Sequence, residues 1–322
     1  MNIVIVHNHT IPVHGYGGVE RIIWWLGKEL KRLGHTITYL VPPPSECPFA
    51  GVIAYDPAKT LKEQIPPDTE FVHLCFQSDE KPTKPYLMMY QYNHHPHDTF
   101  DINTVFVSKD HAARHQAKTY VYNSIDIEEY GDPSLGAARD RLLFLGYAKR
   151  PEKNLADCLR IARKTGNVLA IVGGKDKWYK RRPWAEYMGF LGGEAKMQAL
   201  RRSKALLFPV LWHEPFGIVI IESLYFGSPV IGSAYGSLQE LIGNDYGCAT
   251  NSVSQMIDAV KNLDSFDKKK CHEYVCELFN AKVMTQNYLR LYEKVLAGQT
   301  LNEQEPVNNG NFSRDELLPL TR

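Results

Sequence analysis

Two adjoining segments near the middle of the second half of the chain have no wet side. Ala205-Leu206-Leu207-Phe208-Pro209-Val210 is a continuous apolar run, which reads as a buried strand ended by proline. After a turn at Pro215 and Gly217, the chain from Ile218 to Phe226 reads as a helix of Ile, Val, Leu, Tyr and Phe, apolar all round and therefore buried. A strand and a helix of this kind fit a layered core in which helices cover a sheet. Glu222 lies inside that helix, and a buried carboxylate needs hydrogen-bond partners or a cation. Glu214 lies just before it, where free backbone N–H groups and the positive end of the helix dipole favour anions. The segment thus offers a carboxylate at a turn, an anion-binding helix start and a second carboxylate one turn further in. That set suits a ligand carrying both phosphate and hydroxyl groups. The plainer reading of the same residues is a helix cap at Glu214 and a Lys or Arg partner for Glu222.

The rest of the chain repeats the strand–helix theme. Ile3–Val6 is an apolar run fit for a central parallel strand. Gly15-Tyr16-Gly17-Gly18 follows, then a helix from Val19 to Leu33 with Ile22, Ile23, Leu26, Leu30 and Leu33 on one face. Strands are expected at Thr36–Val41, Val52–Tyr55, Phe71–Phe76, Leu87–Tyr90 and Val105–Ser108, and a last short one at 120–126. The polar stretch 128–140 separates this half from a second alternation. There the expected elements are strands Leu142–Leu145, Val168–Val172, Ala205–Val210 and Pro229–Gly232. Helices are expected at Asn154–Thr165, Lys196–Arg202, Val253–Asn262 and Lys268–Phe279, with a final one marked by Met284, Tyr288, Leu291 and Val295. The predicted organisation is α/β. An N-terminal Rossmann-like domain spans 1–135 and a C-terminal one 136–282, the two facing across a cleft. A helix at 283–297 packs back toward the first domain, and a tail at 298–322 reads as disordered.

Bulk properties exclude several classes. A formal charge of +1 gives no case for a polyanionic partner, and nucleic acid is not expected. The six cysteines show no Cys-x-x-Cys pair, so neither a zinc ribbon nor a disulfide framework is indicated. The start of the chain turns polar too quickly for a signal peptide, and no apolar run reaches the length of a membrane span. A soluble cytoplasmic protein with at most peripheral membrane contact is expected.

The Gly15–Gly18 loop joins a strand to a helix start, an anion site in principle. A dinucleotide-binding dehydrogenase is disfavoured, because Glu20 occupies the third glycine position of Gly-x-Gly-x-x-Gly and Val41 leads into Pro42 where an acidic residue is needed. No P-loop lysine motif occurs.

Taken in order, several motifs resemble glycosyltransferase family 4, the group 1 nucleotide-sugar transferases. They are Gly17-Gly18-Val19-Glu20-Arg21, Leu33-Gly34-His35, Asn123-Ser124-Ile125-Asp126, Phe144-Leu145-Gly146 with Pro151-Glu152-Lys153, Gly189-Phe190-Leu191-Gly192, and Glu214 to Glu222 with Phe226-Gly227-Ser228-Pro229. The resemblance implies the GT-B architecture, no bound cofactor, and a UDP-, GDP- or ADP-sugar co-substrate held mainly by the C-terminal domain. It also implies transfer with retention to a saccharide, lipid-linked or small-molecule acceptor, in carbohydrate biosynthesis. By that likeness Glu222 grips the ribose hydroxyls, Glu214 faces the donor sugar, and the backbone N–H groups of Phe216, Gly217 and Ile218 meet sugar or phosphate. Lys153 neutralises the diphosphate, Gly146 lies beside it, and Gly17 and Gly18 approach it. Phe190 and Leu191 flank the base. The implied catalytic set is Glu214, Lys153 and His95, and either His94 or His95 touches donor sugar or acceptor.

The chemistry is consistent with that likeness. Departure of a nucleoside diphosphate builds negative charge that something positive must stabilise. The sequence has no Asp-x-Asp to hold a metal, so lysine and helix N-termini would substitute. Tyr147 stands where the family has an arginine, and Lys149 or Arg150 would supply that charge. This departure motivates the alternative of a catalytically silent nucleotide-sugar-binding module; a GT-B sugar-nucleotide epimerase or a phosphorylase is a further option within the fold. A metal site from His94, His95 and His97 with His7 and His9 is disfavoured, since adjacent histidines rarely reach one ion. Trp24-Trp25 with Lys28, Lys31 and Arg32 reads as a helix covering the sheet rather than a membrane-surface helix. The loop 175–184, mixing cations and aromatics, reads as a solvated loop near the donor's base or a phosphate or acceptor contact, rather than a base-stacking surface for nucleic acid.

Overall fold

A computed structural model of the chain describes residues 1–13, 17–93, 99–174, 182–307 and 316–322. It divides into two compact units, and each is built on its own six-stranded parallel sheet.

The first unit begins with β1 (Asn2–Val6), α1 (Gly18–Arg32), β2 (Thr36–Val41), β3 (Gly51–Ala54) and α2 (Leu61–Gln64). It continues through β4 (Phe71–Leu74), β5 (Tyr86–Met89), β6 (Thr104–Val105) and α3 (Lys109–Arg114). The sheet order is β3-β2-β1-β4-β5-β6, with every pair parallel. Val4, Val6, Leu40, Val72, Leu74 and Met88 form the core on one face of that sheet. On α1, Ile22, Ile23, Trp25, Leu26 and Leu30 are buried, whereas Leu33, expected on the same face, is the exposed C-cap. Trp24 packs edge-on against Phe49 and Lys28 pairs with Asp126 at 2.5 Å, so these two residues hold the helix against the unit, whereas Arg32 pairs with Glu29 within the helix itself.

The second unit opens with α4 (Ile127–Tyr130) and continues through β7 (Arg141–Leu145), α5 (Leu155–Lys164), β8 (Val168–Val172), β9 (Ala185–Gly189), α6 (Gly193–Arg201) and β10 (Ser203–Phe208). Then come α7 (Ile218–Tyr225), β11 (Val230–Gly232), α8 (Leu238–Ile242), β12 (Gly247–Ala249), α9 (Val253–Lys261) and α10 (Lys268–Leu278). Its order, β12-β11-β10-β7-β8-β9, repeats that of the first sheet when counted from the unit's own first strand. Residues from β7, β8 and β10 pack with Cys158, Ile161, Val253, Met256 and Val260 from α5 and α9. Full burial of side chains of this size stabilises by roughly 1.5–3 kcal/mol each.

The last helix, α11 (Ala281–Leu296), is part of the first unit. It buries Met284, Tyr288 and Tyr292 there, the last accepting or donating a 2.7 Å hydrogen bond with His73 Nδ1 on β4.

Three expectations need correction. The division falls after Asp126 and again after Phe279, not at 135/136 and 282/283, because Tyr130 and its turn bind α7. The stretch 120–126 forms isolated bridges, Phe106 with Tyr120 and Ile125 with Asn280, not a strand. Where it is described, the tail 298–322 is ordered by hydrogen bonds to backbone carbonyls of the two units. Asn302 Nδ2 donates to the carbonyls of Ile102 and Thr104 at 2.9 and 2.8 Å in the first unit. In the second unit, Leu318 N–H donates to Leu211 O and Thr321 N–H to Asn251 O, both at 2.8 Å. A polar composition argues against a packed core, but it does not prevent a strap from satisfying backbone groups this way.

Candidate functional site

In a doubly wound sheet, ligands bind outside the carboxyl ends of the strands where the strand order reverses. In the second unit that point lies between β7 and β10. The loops leaving these two strands carry Lys153 and Glu214, and the structure brings the two side chains together. Lys153 Nζ donates to Glu214 Oε2 at 2.7 Å, and Trp212 Nε1 donates to the same oxygen at 2.8 Å. The ammonium also sits over the Trp212 and Phe208 rings, 4.6 and 5.3 Å from their centroids. Both charged side chains are nearly buried.

The local sequence explains the placement. Pro151-Glu152-Lys153 forms one 3-10 turn after β7, and Asn154 stops it in the left-handed conformation (φ 53°) while capping α5 through Asp157 N–H. Asn154 Nδ2 donates to Pro209 O at 2.9 Å, and Leu211 N–H donates to Glu152 O at 2.8 Å, tying the β7 loop to the exit of β10. From the other side, Ser237 N–H donates to Glu214 O and Ser237 Oγ to Phe216 O. Gly236 lies at φ +66°, and a Cβ there would come within 2.3 Å of Glu214 O, so glycine is required for this close approach.

Gly217 enters α7 at φ +82°, with no side-chain cap at the helix start. Glu214 therefore does not cap α7; its carboxylate turns to Lys153 and Trp212. Glu222 is 3% exposed, and both donors that reach it among the described residues converge on Oε1: Lys196 Nζ at 2.5 Å and the Tyr130 hydroxyl. The expected need for a partner is met by a lysine on α6 and a tyrosine on α4.

Gly146 lies at the end of β7 beside this pair. A Cβ on Gly146 would meet nothing closer than 3.8 Å, from Phe144, and its next neighbour would be Lys153 Cγ at 4.0 Å. Among the described residues, no packing demands glycine there. Gly173 differs, since its Cβ would strike Gly146 O at 2.0 Å. Next to Gly146, the Tyr147 ring is 36% exposed and lies 5.8 Å from that of Phe190, itself 52% exposed. Leu191 and Gly192 lead from there into α6, whose N-cap Gly192 provides no side chain. Lys149 is exposed, while Arg150 is engaged by Glu152 and lies over Trp212.

The remaining candidates lie elsewhere. Gly17 and Gly18 belong to the first unit. Gly17 is extended (φ 170°) and a Cβ on it would meet Glu20 Oε2 and Val13 Cγ2, both at 2.7 Å. Glu20 approaches the buried His7 ring at 3.9 Å. Burial alone would raise the Glu20 carboxyl, but the neighbouring His7 ring, the backbone N–H of Glu20 itself and His9 outweigh it and hold the group below its ordinary value. Gly15 and Tyr16, the histidines His94, His95 and His97, and the loop 175–181 lie outside the described residues. Sequence reasoning missed Trp212, Lys196, Tyr130 and Gly236. Only Trp212, adjacent to the Glu214 motif, carried a local signal; the other three reach the site through tertiary packing.

Residues 139–265 match the family model described as glycosyl transferases group 1. An uncharacterized 42.6 kDa protein in the cps region of Klebsiella pneumoniae is 26% identical over 184 residues, covering 55% of this chain and 46% of that protein. The chain thus spans less than half of that relative's length. Among solved structures, AviGT4, a glycosyltransferase involved in avilamycin A biosynthesis, matches with a TM-score of 0.77 at 20% identity, covering 93% of this chain and 99% of that one. Anabaena Alr3699/HepE in complex with UDP and glucose matches with a TM-score of 0.64 at 13% identity, covering 91% and 100%. The region 139–265 is thus similar to group 1 glycosyltransferases, and the two Rossmann-like, doubly wound domains of the chain have the GT-B fold.

Proposed function

We propose that the chain is a family 4 glycosyltransferase that moves a sugar from a nucleoside-diphosphate-sugar to a hydroxyl acceptor, with retention and without a metal. The observation that carries this reading is the Lys153–Glu214 pair at the switch point of the second sheet, next to a glycine that packing does not require. In the proposed complex the diphosphate lies over Gly146, where a side chain would obstruct it. Lys153 shifts part of its interaction from Glu214 to the departing phosphate, whose charge grows as the glycosidic bond breaks. The uncapped N–H groups at the start of α7 add partial positive charge from the opposite wall. Glu222 offers Oε2 to the ribose hydroxyls while Lys196 and Tyr130 hold Oε1. Glu214, released in part from Lys153, faces the donor sugar's hydroxyls.

Metal independence rests on this supply of fixed positive groups and on the absence of Asp-x-Asp from the sequence. Retention rests on the family likeness: the phosphate oxygen that leaves one face of the sugar takes the acceptor's proton on that same face. A cytoplasmic location belongs to the same reading; no helix among the described residues is long and apolar enough to cross a membrane. HepE, whose structure was solved with UDP and glucose and with UDP-glucose, motivates UDP-sugars as the first donors to try.

Tyr147 favours one second reading, a silent module that binds the nucleotide sugar and does not turn it over. A thermal-shift screen of UDP-, GDP- and ADP-sugars, followed by release of the nucleoside diphosphate over an acceptor panel, separates the two. Stabilisation with turnover supports the transferase. Stabilisation without turnover on any acceptor supports the silent module, and no stabilisation by any of the three removes both.

A further inference from the structure

Residues 316–322 belong to the second unit and lie across the carboxyl ends of three of its strands. Leu318 N–H donates to Leu211 O at 2.8 Å, in the loop that leaves β10. Pro319 O accepts the Tyr235 hydroxyl, in the loop that leaves β11. Thr321 N–H and Oγ1 donate to Asn251 O at 2.8 and 3.1 Å, in the loop that leaves β12, and Thr321 O accepts Val253 N–H at 2.8 Å. These contacts follow the order of the strands in the sheet, β10, β11, β12. Neighbouring strands lie about 4.8 Å apart and an extended chain rises about 3.3 Å per residue, so the path from Leu318 to Thr321 matches that span. Leu320 packs on the core of the unit, whereas Pro319 and Thr321 are exposed. The segment is a surface strap anchored by Leu320 and by backbone bonds.

Two of the loops it holds build the candidate site. The Leu211 carbonyl shares a planar peptide unit with the Trp212 nitrogen, so fixing that oxygen sets the direction in which Trp212 leaves the backbone. Leu211 N–H is bound to Glu152 O, so the residue is held from both sides. Trp212 in turn donates Nε1 to Glu214 Oε2 at 2.8 Å and lies beneath Lys153 Nζ. On the other loop, Tyr235 precedes Gly236, which lies against the Glu214 backbone, and the Tyr235 ring meets that of His213 edge-on at 5.8 Å. Asn251, whose carbonyl the strap binds, accepts Ala234 N–H through Oδ1 at 2.8 Å and so steadies the same loop. We propose that residues 318–321 are a positioning strap that sets the orientation of Trp212 and, through it, of the Glu214 carboxylate and the Lys153 ammonium. The inference deepens the glycosyltransferase reading and rests on it for the role of that cluster. The strap acts through Leu211 and Tyr235 and is a positioning element, not a member of the catalytic set.

The test uses the full, isotope-labelled chain and follows the Trp212 indole N–H resonance by NMR, assigned through its loss in Trp212→Phe. Leu318→Pro removes the N–H that holds Leu211 O, and Tyr235→Phe removes the hydroxyl that reaches Pro319 O. Leu318→Ala keeps the backbone bond and is the control. The resonance is expected to shift in Leu318→Pro and in Tyr235→Phe and to stay in place in Leu318→Ala. With UDP-glucose as the probe, Leu318→Pro is expected to lower kcat for hydrolytic release of UDP about tenfold or more, because small displacements of positioned groups are costly, while KM changes by less than about threefold. A strap that only adds stability would lower the melting temperature and move neither the resonance nor kcat, and that result overturns the proposal. So does a resonance that shifts equally in Leu318→Ala. Circular dichroism establishes that each variant folds, and the conservative Tyr235→Phe decides the matter if Leu318→Pro does not. Failure of the unaltered chain to release UDP counts against that donor in the glycosyltransferase reading; the resonance needs no ligand and decides the strap on its own.

Discussion

Lys153 and Glu214, sixty-one positions apart in sequence, meet in a 2.7 Å charge-assisted hydrogen bond over the point where the second sheet reverses its strand order. Neither side chain is there for solubility, since both are nearly buried. A buried pair of this kind stabilises little on balance, but losing one partner leaves the other uncompensated. Lys153→Met is expected to destabilise the chain by about 1–3 kcal/mol. It should also lower turnover by roughly 10²–10³-fold, the usual loss when one group facing developing charge is removed. Nucleoside diphosphate affinity should fall while affinity for the parent nucleoside does not. Calorimetric titration of both ligands checks the split.

Gly146→Val separates fold from ligand. Its Cβ has room, with the nearest atom 3.8 Å away, so the thermal stability of the variant should stay within about 1 kcal/mol of the unaltered chain. Nucleotide binding should be lost, because the added methyl groups occupy the space assigned to the diphosphate. A variant that is stable and still binds would place the diphosphate elsewhere.

Glu222→Gln keeps the shape of the buried side chain and its contact with Tyr130 while removing the charge that faces Lys196. It should weaken binding of a ribonucleoside diphosphate about tenfold, a loss of one charge-assisted hydrogen bond. The corresponding 2′-deoxy nucleotide should lose much less, and comparing the two affinities tests the ribose assignment.

Gly236→Ala is expected to be the most destabilising of these changes, by roughly 3 kcal/mol or more. It combines a left-handed backbone angle with a Cβ driven into the carbonyl of Glu214. Denaturant melts measure it directly.

Stability should also depend on pH through the first unit. His73 is fully buried, and burial pushes its pKa down to about 3, so it stays neutral in the folded chain. The unfolded chain takes up a proton near the ordinary histidine value of 6.5. Stability from this group is thus complete above about pH 6.5 and is lost progressively toward pH 3, by roughly 1.4 kcal/mol for each pH unit. His111, whose pKa burial also lowers, acts in the same direction. His73→Gln should flatten the slope between pH 6.5 and 5, as read from melts across that range.

The parts of the fold that could be read from sequence are those whose pattern is local. Runs such as Val168–Val172 and Thr36–Val41 coincide with strands because they are buried on both faces and carry no competing helical period. Strands β9 and β12 escaped notice. The first, Ala185–Gly189, is a half-exposed edge strand, and the second, Gly247–Ala249, is only three residues long. Neither offers an apolar run. The site divides the same way. Glu214, Gly217 and Glu222 lie within one short motif, whereas Lys196 and Tyr130 converge on Glu222 from 26 and 92 positions away. No spacing rule could associate them. The tail misled because composition records the lack of a core and not the presence of backbone partners such as Leu211 and Asn251.

The most direct test of the central claim, that a nucleoside diphosphate sits over Gly146 between Lys153 and the start of α7, is amide hydrogen exchange read by mass spectrometry. It compares the chain alone with the chain saturated by whichever nucleoside diphosphate stabilises it. The account predicts slowed exchange in the segments around 144–155 and 212–225 of the second unit. Protection confined to other segments, with these two unchanged, would contradict it.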